Sequence, residues 1–105
     1  MFQGIVHFKA SVVSMNMREV DEYGRLVLKM PESFPIQDIK LGDSIAVDGV
    51  CLTVVVVDGL NVGFDLLKET LRSTRLIHLA QYPFCNVELP CAMGDALHGH
   101  PVSGH

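Results

Sequence analysis

The dipeptide Asp48-Gly49 constrains this chain more than any other local feature. It stands between Ser44-Ile45-Ala46-Val47 and the apolar run Val50 to Val57, two stretches of strand-forming residues. Asp-Gly suits the two-residue turn whose backbone twist matches a pair of antiparallel strands, so a β-hairpin is expected here. In its second strand Cys51 and Thr53 are two apart and share one face. Two readings stand at this point. A free thiol usually behaves as a small buried hydrophobe and threonine favours strands, which makes the pair packing; alternatively, the two line a pocket. The valines that follow read as core.

The rest of the apolar pattern is also mostly of period two. Ile5, Val6 and Phe8 begin one segment, which continues through Ala10, Val12 and Val13 towards Met15. The turn-prone residues Asp21 to Gly24 lead into Arg25 to Met30, and a loop with Pro31 and Pro35 follows, then Ile36 to Lys40 and Gly42-Asp43. Asp58-Gly59 marks another turn before a strand over Asn61 to Leu66, and Val87 to Leu89 forms a last short strand ended by Pro90. Around Leu66 the period changes. Leu67, Leu71 and Thr74 are spaced by four and three, which predicts one or two helical turns over Leu66 to Leu71 and beyond. The final stretch, rich in Gly and His, reads as loop or irregular strand. About six strands separated by regular turn signals imply a small antiparallel barrel or sandwich.

A chain of 105 residues, 49% hydrophobic and 19% charged, suits a single packed domain spanning residues 1–105. Its 12 acidic and 8 basic side chains give a formal charge of −4 with no Lys/Arg cluster, so nucleic acid is not an expected partner. The apolar run Val50 to Val57 is far too short for a membrane helix, and no membrane association is expected. The N-terminus lacks a basic stretch followed by an apolar segment, the pattern of a signal peptide. Cys51, Cys85 and Cys91 have no CxxC spacing, which suits reduced thiols in a cytoplasmic protein.

Two polar constellations carry potential chemistry. His98 and His100 form an HxH pair, with His105 beyond and Cys91 or Asp95 as further donors. Pro101 and the neighbouring glycines break a regular strand, and no ligand pair elsewhere completes a set, so no metal site is assigned; the same histidines can act as general bases. Asp65 to Thr70 lies where strand gives way to helix. Its polar groups can cap the helix, or its backbone N–H groups and side-chain oxygens can hold a polyhydroxyl chain or ring carbonyl. Spacing alone leaves both open.

Taken together, MFQGIV at the start, GDSIAVDGVCLTV, FDLLKETLRSTRL, NVEL and a terminal GHPVSGH occur in the order found in the amino-terminal half of riboflavin synthase. The chain resembles that family's lumazine-binding domain over essentially its whole length, with GVCLTV followed by FDLLKETLR as the specific part. The resemblance implies an all-β fold, a six-stranded antiparallel Greek-key barrel with one or two short helices. It implies non-covalent binding of 6,7-dimethyl-8-ribityllumazine, riboflavin or FMN, with no metal and no separate cofactor required. Family enzymes carry two such barrels per chain, usually as trimers, and dismutate two lumazine molecules to riboflavin and a pyrimidinedione by passing a four-carbon unit. A related non-catalytic branch binds lumazine or flavin as an antenna, and a binding module of that kind is the alternative expectation.

By motif, the resemblance implies ligand-binding roles for Gly4, Ile5, Val6, Ser44, Cys51, Leu52, Thr53, Asp65, Leu66, Leu67, Lys68, Glu69, Thr70, Gly104 and His105. It further implies His105 for proton transfer, Ser44 or Cys51 as nucleophile or polar stabiliser, and Phe2 near the reacting rings. The sequence departs from the family pattern in places. Tyr82-Pro83-Phe84 replaces a Gly-Asp turn, and His98-Gly99-His100 followed by Pro101 replaces Gly-Gly-His. No second barrel is evident, so one barrel supplies one substrate site and half of a reaction centre. A homo-oligomer, such as a C2 dimer of barrels, is the expected way to set two ligands face to face.

Overall fold

The computed structural model describes residues 4–18, 23–67, 69–70 and 83–90. Six strands form a closed antiparallel barrel: β1 (Ile5–Arg18), β2 (Tyr23–Lys29), β3 (Ser44–Val47), β4 (Val50–Asp58), β5 (Asn61–Leu67) and β6 (Phe84–Pro90), in the order β1-β2-β5-β4-β3-β6. The consecutive strands β3, β4 and β5 are joined by tight turns, and β5 lies beside β2, which is a Greek-key arrangement. The barrel and its topology agree with the expectation from sequence.

Asp48-Gly49 makes the β3–β4 turn with φ of 48° and 85°, both in the left-handed region that a type I′ turn requires. The turn also docks on β6. The Asp48 N–H donates to the Asn86 carbonyl at 2.7 Å, and the Asn86 N–H donates to Asp48 Oδ1 at 2.8 Å. One aspartate thus fixes both the hairpin and its seat on the next strand.

Inward residues fill the barrel. Leu26, Leu28, Ile45, Val47, Leu52, Val54, Val62, Phe64, Leu66, Val87 and Leu89 are all buried. Met30, Phe34 and Ile39, from the segment that links β2 to β3, join the same core. Phe34 meets Phe8 edge to face with ring centroids 5.1 Å apart. A barrel of six strands is narrower than the eight-stranded ones whose interior side chains just fill, and among the described residues no ligand chamber remains inside. Among the described residues, the hollows found lie on the outside of the barrel.

Two bulges change the phase predicted by simple alternation. In β1 the register passes from Val12↔Leu28 to Ser14↔Val27, and the extra residue Val13 turns outward. In β4 it passes from Val54↔Phe64 to Val56↔Gly63, which leaves Val55 as the extra residue. Of the valines expected as core, Val54 is therefore fully buried while Val56 faces out. The predicted helix also starts later than its spacing implies. Leu66 and Leu67 belong to β5, held there by pairing with Gly24 and Tyr23, and residues 69 and 70 are helical. The remainder of that helix lies outside the described residues.

Candidate functional site

Alternation along β4 decides between the two readings of Cys51 and Thr53. Leu52 and Val54 point into the core, so Cys51 and Thr53 point outward and are exposed. The β3–β4 register sets Ser44 opposite Thr53 and Ala46 opposite Cys51. Ser44, also exposed, therefore stands beside Thr53 on the outer surface.

On the other side of β4 the sheet opens. Pairing of β4 with β5 ends at Val54↔Phe64, although β4 extends back to Val50 along β3 and β5 extends on to Leu67 along β2. Leu52 and Leu66 form the floor of the groove left by this parting, which has a volume of about 320 Å³. Cys51, Thr53 and Val55 line one wall, Asp65 and Leu67 the other, with Tyr23 and Thr70 at the edges. The Val54 N–H and C=O bond to Asp43 and Gly42, both at 2.8 Å, on the side away from β5. Strand alternation consequently aims the main-chain groups of Cys51 and Thr53 toward the groove. The site thus combines an apolar floor, main-chain polar groups, three hydroxyls (Tyr23, Thr53 and Thr70), a thiol and a carboxylate. Such a mixture suits a small organic ligand that is partly apolar and partly polar.

Asp65 has a partner on β2. Arg25 Nε donates to Asp65 Oδ1 at 3.0 Å, between residues directly opposite in the β2–β5 register. Neither the capping role nor the ligand role considered for Asp65 from sequence included this contact. Tyr23, 46% exposed, stands opposite Leu67, 50% exposed, and the pair makes an apolar shoulder beside the groove.

The structure thus brings together Cys51, Leu52, Thr53, Asp65, Leu66, Leu67 and Thr70, with Ser44 adjacent and Glu69 next to Thr70. Gly4, Ile5 and Val6 lie apart from the groove, at the start of β1, where Ile5 pairs with Pro90 and Val6 with Leu89. Continuing the β3–β6 register of Ala46↔Glu88 places Ser44 level with residue 90, so Ile5 and Ser44 share one level of the outer surface. Phe2, Lys68, Gly104 and His105 lie outside the described residues, as do Cys91, Asp95, His98 and His100. Sequence reasoning missed Tyr23 and Val55. The available signal for Tyr23 was topological: a Greek key puts β2 beside β5, so outward residues of β2 flank Asp65 and Leu67.

A second hollow of about 280 Å³ is lined by Asp48, Gly49, Asn86 and Glu88. His7 Nδ1 lies 3.3 Å from Glu88 Oε2, again between cross-strand partners. This hollow has no apolar floor to cover a ring. Among the described residues, no group of three or more His, Cys, Asp or Glu side chains is placed to hold a metal ion. The two described cysteines differ sharply. Cys51 is exposed, whereas Cys85 is buried, and that burial, with Asp48 adding to it, pushes its thiol up from 9.0 to about 12.

Comparison with known proteins matches residues 3–90 to the family described as the lumazine binding domain. The chain is similar to riboflavin synthase from Escherichia coli (strain K12), 39% identical over 105 residues, all of this chain and 48% of that protein. It is 36% identical over its full length to riboflavin synthase from Buchnera aphidicola subsp. Schizaphis graminum, covering 49% of that protein. The corresponding figures for riboflavin synthase from Bacillus subtilis (strain 168) are 34% and 47%. The chain spans about half the length of the curated relatives it matches.

Proposed function

The chain belongs to the lumazine binding domain family, and from that premise we propose that the β4–β5 groove binds the ring of 6,7-dimethyl-8-ribityllumazine, or of riboflavin or FMN, as one half of a riboflavin synthase-type reaction centre. One observation carries the proposal. The two strands that bear GVCLTV and FDLL part on the outside of a filled barrel, and the residues of both motifs meet in that opening. The volume of about 320 Å³ is at the lower end of the roughly 300–1,000 Å³ usual for small-molecule sites, as suits a shallow groove closed by a second surface.

In this arrangement Leu52, Leu66 and Leu67 cover one ring face and the outward main-chain groups of Cys51 and Thr53 meet its carbonyl and imide edge. The Thr53 and Thr70 hydroxyls and the Asp65 carboxylate serve the ring edge and the ribityl chain. Turnover needs a second ring opposite the first, supplied by another barrel in a homo-oligomer. The C7 methyl of one lumazine then loses a proton, and a nucleophile adds to the other. His105 is the proposed proton carrier, and Ser44 or Cys51, both exposed beside the groove, the proposed nucleophile or polar stabiliser. No metal or separate redox cofactor is needed, and the setting is cytoplasmic.

A fluorescence titration with 6,7-dimethyl-8-ribityllumazine and riboflavin tests binding. The expected result is a shift or quenching that saturates, weakened in Thr53→Val. No spectral change at micromolar ligand refutes the proposal. Analysis of the same sample for riboflavin separates turnover from the binding-only alternative.

A further inference from the structure

We propose that Arg25, on β2, is a positioning residue for this groove: it holds the Asp65 carboxylate so that one oxygen faces the hydroxylated chain of the ligand. The inference rests on the groove being the lumazine site and adds a residue outside both motifs. Its geometry is specific. Arg25 and Asp65 are direct cross-strand partners, and Nε donates to Oδ1 at 3.0 Å. A carboxylate has about four lone-pair positions, so Oδ2 retains acceptor capacity for an O–H donor. The polyol side chain of a ribityl ligand is rich in such donors, whereas the ring edge offers few.

The path of the Arg25 side chain toward Asp65 runs over Gly63. On β5, two residues before Asp65, stands Gly63, whose φ is not in the left-handed region. A Cβ there would lie 3.6 Å from Arg25 Cδ and 3.1 Å from Val56 Cβ. Space, not backbone conformation, thus favours glycine at this position. The tight neighbour there is Val56, while the Arg25 stem passes over Gly63 at ordinary van der Waals distance on its way to Asp65. Both charged side chains are roughly half exposed, and such pairs add little to stability. Fixing the rotamer of Asp65 before the ligand arrives is the more consequential effect, because the ligand then orders one fewer side chain.

The experiment compares two probes, 6,7-dimethyl-8-ribityllumazine and 6,7,8-trimethyllumazine, which lacks the ribityl chain. Each is titrated against the wild type, Arg25→Ala, Arg25→Lys, Asp65→Asn and the Arg25→Ala/Asp65→Asn double variant. Arg25→Ala should weaken the ribityl ligand about two- to fivefold, the range for loss of an exposed ion pair, and leave the trimethyl ligand unchanged. Arg25→Lys should recover part of the loss, since it keeps the charge without the planar donor. In the Asp65→Asn background, removing Arg25 should cost nothing further. Equal losses for the two ligands, additive losses in the double variant, or no loss in Arg25→Ala overturn the positioning role. If the wild type binds neither probe, the groove assignment itself falls, and this inference with it.

Discussion

Replacing Leu52 with alanine and Thr53 with valine, one position apart on the same strand, should affect stability very differently. Leu52 is 5% exposed and packs with the barrel core, while Thr53 is exposed on the groove wall. Leu→Ala in a core costs about 2–5 kcal/mol. Leu52 also lines the groove, where one flank can relax, so about 2–4 kcal/mol is expected. For a domain of this size each kcal/mol moves Tm by roughly 4–8 °C, which gives a fall of roughly 8–32 °C. Thr53→Val alters an exposed strand position and should stay within about 0.5 kcal/mol, a change of less than about 4 °C. Ligand affinity should fall in Thr53→Val through loss of the hydroxyl. Thermal melts followed by circular dichroism, with ligand titration of the same samples, read all of this. A Leu52→Ala protein that melts with the wild type, or a Thr53→Val protein that loses 10 °C or more, would refute the assigned faces of β4 and the exterior site with them.

Three further outcomes follow from the same structure. Asp48→Asn keeps the acceptor for the Asn86 N–H and tolerates the φ of 48°, so its stability should be near wild type, whereas Asp48→Ala should lose about 1–2 kcal/mol in denaturant unfolding. In a Cys91→Ser background, iodoacetamide should label Cys51 readily and Cys85 only on unfolding; equal labelling rates contradict the burial of Cys85. The Cys85 thiol is raised in the folded chain from 9.0 to about 12, so above pH 9 the unfolded chain gives up a proton that the folded chain retains. Stability should then fall as pH rises from about 9 toward 12, and the Tm–pH curve of Cys85→Ala should fall less steeply over that window.

Local features of the chain were legible because their causes are local. Asp48-Gly49 specifies a turn through its own φ preferences, and the strand runs around it follow from period two. The side of the sheet taken by Cys51 and Thr53 was not legible, since period two sets which residues share a face but not which face is buried. Cys51 and Leu52 are both apolar enough to pack inside. The bulges at Val13 and Val55 escaped for a related reason: an extra residue is defined by the partner strand, which lies far away in sequence. The strand end at Leu67 likewise depends on Tyr23 across the β2–β5 ladder. Motif resemblance placed Cys51, Thr53 and Asp65 among the candidates, while Tyr23 and Arg25, brought to the groove by the Greek-key crossing, carry no signal in their own neighbourhood.

The ligand is proposed to sit outside the barrel, where β4 and β5 part. An amide-resolved NMR titration with 6,7-dimethyl-8-ribityllumazine tests it most directly. Saturable shifts are expected at Tyr23, Cys51 to Thr53, Asp65 to Leu67 and Thr70, with Ile45, Val47 and Val87 in the core and Asn86 and Glu88 at the second hollow unmoved. Shifts centred on Asp48, Asn86 and Glu88, or no shifts at saturating ligand, would contradict it.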